Sequence, residues 1–143
     1  MRTLADVLGG RDVFTLRPEQ SVSEAAEFLA AKNIGAVSVV SADKLVGILS
    51  ERDIIGRVVA KGVDPKKTTV EATMTKNPVT LDAAETPRRA LELMQERKVR
   101  HLPVVHAGKL VGMISLRDLL QVQISTQQNE LKLLSALPER EFE

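Results

Sequence analysis

Residues 15–55 and 80–120 superimpose at a constant offset of 65 without a gap, and fourteen of the forty-one aligned positions are identical. The identities are densest late in each copy. "KLVG" stands at 44–47 and again at 109–112, and Ser50, Arg52 and Asp53 return as Ser115, Arg117 and Asp118. The run-ups also match, "TLADVL" at 3–8 against "TVEATM" at 69–74, but at an offset of 66. A repeat of this length is one supersecondary unit with apolar faces that it buries poorly alone, so two copies must share their faces. Two near-identical units packing face to face are expected to do so about a pseudo-twofold axis, which creates two equivalent clefts between them.

Within each copy the hydrophobic period changes along the chain and predicts strand, helix, strand, strand, helix. An extended stretch around Phe14–Leu16 leads to Ser21, which with Glu24 three residues on reads as a capping box. Val22, Ala25, Ala26 and Leu29 give the following helix its buried stripe, and Gly35 is placed to end it in a left-handed cap. "AVSVV" and "LVGIL" read as strands joined by the turn "SADK". Ser50 caps a second helix with the stripe Ile54, Ile55, Val58 and Val59. The second copy repeats this with Thr86 as cap, Pro87 at the first helical position and strands around "HAGK". Residues 61–78 form a polar connector with one short helical piece. The chain after Leu120 reads as a helical extension stopped by Pro138. The expected class is therefore α/β (α+β), with units at 1–65, 66–124 (connector included) and a tail at 125–143.

Composition removes several functions. The apolar share is 43% but the aromatic share is 2%, so aliphatic side chains and Met fill the core and base stacking is not expected. Twenty Lys and Arg against nineteen Asp and Glu leave a net charge of +1, without the basic surplus that nucleic-acid binding exploits. There is no cysteine and there are two histidines, with no ligand cluster at helical spacing, so neither metal site, thiol nucleophile nor other catalytic set is expected. The opening "MRTLADVLGGRDVF" lacks the apolar core of a signal peptide, and no apolar run approaches the ~20 residues that cross a bilayer. A soluble cytoplasmic protein with no membrane contact is the expectation.

The repeated Ser-x-x-Asp has two readings. As a capping box, Ser50 with Asp53 and Ser115 with Asp118 would satisfy orphan backbone N–H groups and complement the helix dipole, together worth ~1 kcal/mol with no ligand. As a binding device, the same pair sets a hydroxyl and a carboxylate at a helix start. The helix end receives anions, and the carboxylate accepts hydrogen bonds from a ribose diol. Sugar plus phosphate points to a nucleotide.

On "GILSERD", "GMISLRD", "KNIGAVSVV" and "VRHLPVV" the chain resembles a tandem pair of CBS domains, the module named after cystathionine β-synthase, over residues roughly 1–125. The resemblance implies two βαββα repeats about a pseudo-twofold axis and non-catalytic regulatory binding of adenosine ligands in the inter-repeat clefts. AMP heads the list, with ADP, ATP, NAD and S-adenosylmethionine as further candidates. Carried over position by position, one cleft joins Ser115 and Asp118 with Thr15, Ile34, Gly35, Ala36 and Val37. The other joins Ser50 and Asp53 with Thr80, Val99, Arg100, His101, Leu102 and Pro103. Since Arg100 and His101 replace Gly35 and Ala36, the Asp53 cleft is expected to favour a charged phosphate tail.

Arg117 lies inside the signature as a candidate phosphate clamp, against the alternative of a solvated first-turn arginine. His101 is either a phosphate contact or a packing histidine. The resemblance also implies a homodimer through the helices, here the stripes Ile54/Ile55/Val58/Val59 and Leu119/Leu120. Leu131, Leu134 and Leu137 could dock the tail on the second copy or on a client protein. The competing function is a structural interaction protein whose clefts stay empty.

Overall fold

The computed structural model describes residues 2–136, so Leu137 and Pro138 lie outside the described residues. The first repeat runs β1 (Thr15–Leu16), α2 (Val22–Lys32), β2 (Ala36–Ser41), β3 (Lys44–Ser50) and α3 (Glu51–Ile54), preceded by the lead-in helix α1 (Leu4–Leu8). A π-helical turn, Ile55–Val59, continues α3. The connector supplies α4 (Val70–Thr73) and β4 (Thr75–Lys76). The second repeat runs β5 (Leu81–Asp82), α5 (Pro87–Arg97), β6 (His101–His106), β7 (Lys109–Ser115) and α6 (Leu116–Ala136). The strand-helix-strand-strand-helix order read from the sequence is thus present twice, and the fold is mixed α/β.

Local chemistry explains most element ends. Ser21 and Thr86 accept the N–H groups of Glu24 and Arg89, and Pro87 opens α5 where its missing N–H costs nothing. The left-handed cap of α2 falls on Asn33 (φ 54°) rather than on Gly35, and on Lys98 (φ 55°) at the equivalent place in α5. Asn tolerates this conformation well enough to end the helix two residues before the expected glycine. Each β-hairpin turns through two left-handed residues, Ala42–Asp43 and Ala107–Gly108, the geometry that matches strand twist in a two-residue loop.

One sheet has the order β1-β2-β3-β4 and the other β5-β6-β7. The parallel β1–β2 and β5–β6 pairs bracket a crossover helix, and the hairpins carry matching irregularities at Val39/Val40 and Val104/Val105. Strand β4, which the polar composition of the connector concealed, pairs with β3 and, among the described residues, has no counterpart in the second sheet.

The run-ups are exchanged between the repeats. Leu4 and Leu8 of α1 belong to the core of the second repeat with Ala90, Leu93, Leu102, Val104 and Ile114. Two hydrogen bonds fix the docking, Leu4 N–H to the Glu85 carbonyl at 2.8 Å and Ala5 N–H to that of Ala83 at 3.0 Å. In return, Val70 of α4 and Met74, which caps it, enter the core of the first repeat with Leu16, Ala25, Val37 and Leu49. The two run-ups are thus equivalent elements, each packed into the core of the repeat that does not follow it.

The helical stripes divide. Val58 and Leu119 are buried and Ile54 packs on the first core, whereas Ile55, Val59 and Leu120 remain exposed. The expected dimer stripes are therefore narrower than the sequence suggests, because their inner members complete each repeat's own core. Among the described residues no helix is long and apolar enough to cross a membrane.

Candidate functional site

Both Ser-x-x-Asp words fold as reciprocal capping boxes. Asp53 N–H donates to Ser50 Oγ at 3.1 Å while Ser50 N–H donates to Asp53 Oδ2 at 3.0 Å. The second copy reproduces this at 3.0 and 2.8 Å between Asp118, Ser115 and their backbone N–H groups. In each box one carboxylate oxygen is held by the backbone and the other is turned outward. The outward oxygens meet different partners. Asp53 Oδ1 accepts the Thr75 hydroxyl at 3.3 Å and lies 4.0 Å from Arg57. Asp118 Oδ1 pairs with Arg11 Nη1 at 3.0 Å. The side chains of Asp53 and Asp118 keep 13% and 23% of their accessibility, enough for a ligand atom to reach a remaining lone pair.

Sheet register brings each signature beside the first residues of the central strand in its own repeat. Ser50 stands opposite Ala36 and Ser115 opposite His101, and the N–H groups of Glu51 and Leu116 donate to the carbonyls of Gly35 and Arg100 at 2.9 and 2.8 Å. The starts of β2 and β6 meet between the repeats, where β3 and β7 also touch. A Cβ on Gly35 would lie 3.3 Å from Glu51 Oε1, which a small shift of that flexible side chain relieves, and at ordinary contact, 3.5 Å, from His101 Cε1. Ala36, Val37, Leu102 and Pro103 are buried, Val37 and Leu102 in the cores of their own repeats. Ile34 is half-buried, while Thr15, Val99, Arg100 and Arg117 are exposed.

Thr80 stands apart. It lines a shallow cleft of about 480 Å³ near the hairpin ends, with Lys44, Leu45, Asn77, Pro78 and Val105. A smaller cleft of about 240 Å³ lies between α1 and α6 and contains Asp118, Arg11, Arg2 and Gln121. The larger cleft contacts neither carboxylate, so the smaller one matters more for the chemistry of the signature.

Burial holds the His101 imidazole below the ordinary histidine range. Glu51 and Asp118 oppose that shift, and Arg100 adds to it. The unfolded chain therefore takes up this proton before the folded one does. The stability contributed by a neutral His101 is complete above the unfolded value of 6.5 and is lost as the pH falls through the folded value. The melting temperature is expected to drop as the pH is lowered from about 6.5 to 5, and His101→Gln should flatten that limb in a calorimetric pH series. At Asp118 burial pushes the carboxyl up, but hydrogen bonds from Arg11 and Ser115 together with the Arg11 charge outweigh it and hold the group below the usual carboxylate range.

Arg11, Thr75 and Arg57 adjoin the site with no sequence motif to single them out, and Glu51, inside the GILSERD signature, adjoins it with no role implied by the resemblance. Arg11 is 107 residues from Asp118, and no local pattern could join them. Arg57 reaches its place from the π-helical turn, which aims its guanidinium at the carbonyls of Thr73 and Met74 at 2.8 and 3.0 Å. Among the described residues no three His, Asp or Glu side chains group as metal ligands, and no buried side-chain polar atom lacks a partner.

The family model described as CBS domain matches residues 4–60 and 70–125. The chain belongs to the CBS-domain family, as a tandem pair of repeats. It is 36% identical over 115 residues to the CBS domain-containing protein YhcV of Bacillus subtilis, covering 80% of this chain and 81% of that protein. A solved CBS-domain containing protein from Agrobacterium tumefaciens superimposes with a TM-score of 0.79 at 37% identity, over 85% of this chain and 99% of the other. A CBS domain protein from Pyrobaculum aerophilum, complexed with AMP, gives a TM-score of 0.75 at 28% identity over 82% and 89%. Some relatives are longer: the chain spans 65% of an uncharacterized Methanopyrus kandleri protein and 23% of an Arabidopsis thaliana CBS domain-containing protein.

Proposed function

We propose that this chain is a non-catalytic regulatory module that binds adenosine ligands, AMP first among them, between its two CBS repeats. The observation that carries the reading is the pair of outward carboxylate oxygens, Asp53 Oδ1 and Asp118 Oδ1, each braced by a capping box beside the junction of the repeats. Such an oxygen accepts the hydroxyls of a ribose, and the AMP complex of the Pyrobaculum aerophilum relative supports adenosine as the class. Ser50 and Ser115 orient the carboxylates. Thr15, Ile34, Gly35, Ala36 and Val37 on one side, and Val99, Arg100, His101, Leu102 and Pro103 on the other, form the surroundings of base and phosphate, while Thr80 lines the separate cleft near the hairpin ends. Arg117 is the remaining phosphate candidate.

Ligand binding at a junction changes how two units pack, and such a change can be read by a second copy or a client. The exposed pairs Ile55/Val59 and Leu120/Ile124 occupy equivalent positions 65 residues apart and offer the contact face for a homodimer. A structural role with empty clefts is the second reading. It is favoured by the fact that both capping boxes are complete without a ligand.

A thermal-shift panel with AMP, ADP, ATP, NAD, S-adenosylmethionine and GMP separates the two. Ligand at about 100 times its Kd adds about 2.7 kcal/mol and raises the melting temperature by several degrees. Adenine ligands alone are expected to do so, with the shift reduced in Asp53→Asn or Asp118→Asn. Asparagine retains an acceptor for the cap but not the carboxylate charge, so it tests the ligand more than the helix. No shift with any compound would leave the structural reading standing.

A further inference from the structure

We propose that Arg11 is the specificity residue of the Asp118 cleft: it holds the carboxylate while the cleft is empty and turns to the 5′-phosphate when a ribose takes Asp118. The cleft then selects nucleoside phosphates over nucleosides. This deepens the adenosine-binding reading and rests on it.

Arg11 reaches Asp118 only through the exchange of lead-ins. Helix α1 is docked on the second repeat, and Gly9 (φ 57°) and Gly10 (φ 79°) turn the chain sharply at its end, with Arg11 N–H closing the turn onto the Leu8 carbonyl at 3.0 Å. The guanidinium then meets Asp118 Oδ1 at 3.0 Å. Asp118 Oδ2 is already engaged by Ser115 N–H at 2.8 Å, so Arg11 occupies the oxygen most open to a ribose.

That ion pair is easily exchanged. The Arg11 side chain keeps 47% of its accessibility, and ion pairs so exposed contribute little, less than a ribose diol and a phosphate together can return. Within one nucleotide the 5′-phosphate hangs from the same sugar whose hydroxyls would engage Asp118. A group already 3.0 Å from that carboxylate is therefore within one side-chain sweep of the phosphate. The forked, permanently charged guanidinium suits phosphate oxygens. Arg2 lines the same cleft and adds to its positive charge.

The Asp53 cleft is built differently. Its carboxylate is met by a neutral hydroxyl from Thr75, and the nearest arginine, Arg57, stands 4.0 Å away and is committed to two backbone carbonyls. A discrimination that depends on an arginine exchanging carboxylate for phosphate therefore belongs to the Asp118 side.

The test is calorimetric titration of AMP and of adenosine into the full chain carrying Asp53→Asn, with and without Arg11→Gln. The Asp53→Asn protein is expected to bind AMP at least about tenfold more tightly than adenosine, the worth of one charge-assisted contact. Adding Arg11→Gln should bring the ratio close to one while adenosine binds as well as before or better, because its competitor for Asp118 has gone. Arg11→Lys, which keeps the charge but not the fork, should fall between. A ratio left intact by Arg11→Gln, or AMP and adenosine weakened equally, overturns the proposal while leaving the adenosine reading in place. Loss of all binding in the Asp53→Asn protein overturns both for this cleft. Should Arg11→Gln fail to fold, guanidinium NMR of the unaltered protein decides: both ligands should shift the Arg11 signal as the ribose displaces it from Asp118, but only AMP should then hold the guanidinium in slow exchange with water and in contact with the phosphorus nucleus, and the absence of that difference overturns the proposal.

Discussion

Leu4→Ala is expected to destabilise the protein by about 3 kcal/mol and to lower its melting temperature by on the order of 10 °C. Leu4 has no accessible surface and lies in the core of the second repeat, so the substitution removes three carbons from a site where a five-residue helix has little freedom to settle inward. The helix itself is held by a Thr3–Asp6 capping box and a left-handed Gly9, which fix both of its ends. The cavity should therefore stay open. Amide exchange gives the more specific reading: Leu102, Val104 and Ile114, which lie far along the chain but share a cluster with Leu4, should lose protection before Val37, Val39 and Leu49 of the first repeat. A cost below about 1 kcal/mol would show that α1 is a dispensable appendage, and equal loss in both repeats would show that the two cores open as one unit.

What is legible in the sequence is what is encoded locally. Ser50 with Asp53 and Ser115 with Asp118 announce their capping boxes because cap and partner are three residues apart. The hairpins announce themselves because strand alternation and a two-residue turn are adjacent in the chain. Gly35 is a fair candidate for the helix cap, but Asn33 takes the left-handed position first, and Gly35 lies beside Glu51 and His101 where the repeats meet. Val58 and Leu119 cannot be told from Val59 and Leu120 by periodicity, since an amphipathic stripe does not say which flank meets the protein's own core. The exchange of lead-ins is hidden for a similar reason. Leu4 and Leu8 would serve either core, and only the one-residue mismatch between offsets of 65 and 66 hints that the run-ups are separate elements. Arg11 and Thr75 come to the site with that exchange. The asymmetry expected from Arg100 and His101 rests on the strand starts alone and cannot include groups delivered by the other repeat's run-up.

Gly47→Ala should cost about 2–3 kcal/mol, and its repeat partner Gly112→Ala about 1 kcal/mol, although the two glycines are equivalent in sequence. Both are glycine because an exchanged run-up crosses the strand directly above them. A Cβ on Gly47 would come within 2.5 Å of Met74 Sδ and within 2.9 Å of both Met74 Cγ and the Thr75 carbonyl oxygen. The methionine tip can swing away, but the Thr75 backbone belongs to β4 and is tied into the sheet by the pairing of Ile48 with Thr75 and of Gly47 with Lys76. On Gly112 the crowding atoms are the Leu8 methyl carbons at 2.9 and 3.0 Å, and these move with a rotamer change. The inequality extends to the site. Displacing Thr75 pulls its hydroxyl from Asp53, whereas repacking Leu8 leaves the Asp118 capping box untouched. Adenosine-ligand binding on the Asp53 side should therefore weaken in Gly47→Ala at temperatures where the protein is still folded, and binding on the Asp118 side should persist in Gly112→Ala. Denaturant melts and titrations on both variants, each paired with the Asp→Asn change in the opposite cleft, check the stability and the binding halves separately. Equal stability losses for the two glycines would mean that β4 yields as readily as a leucine side chain, and the coupling of the connector to the Asp53 cleft would fall with it.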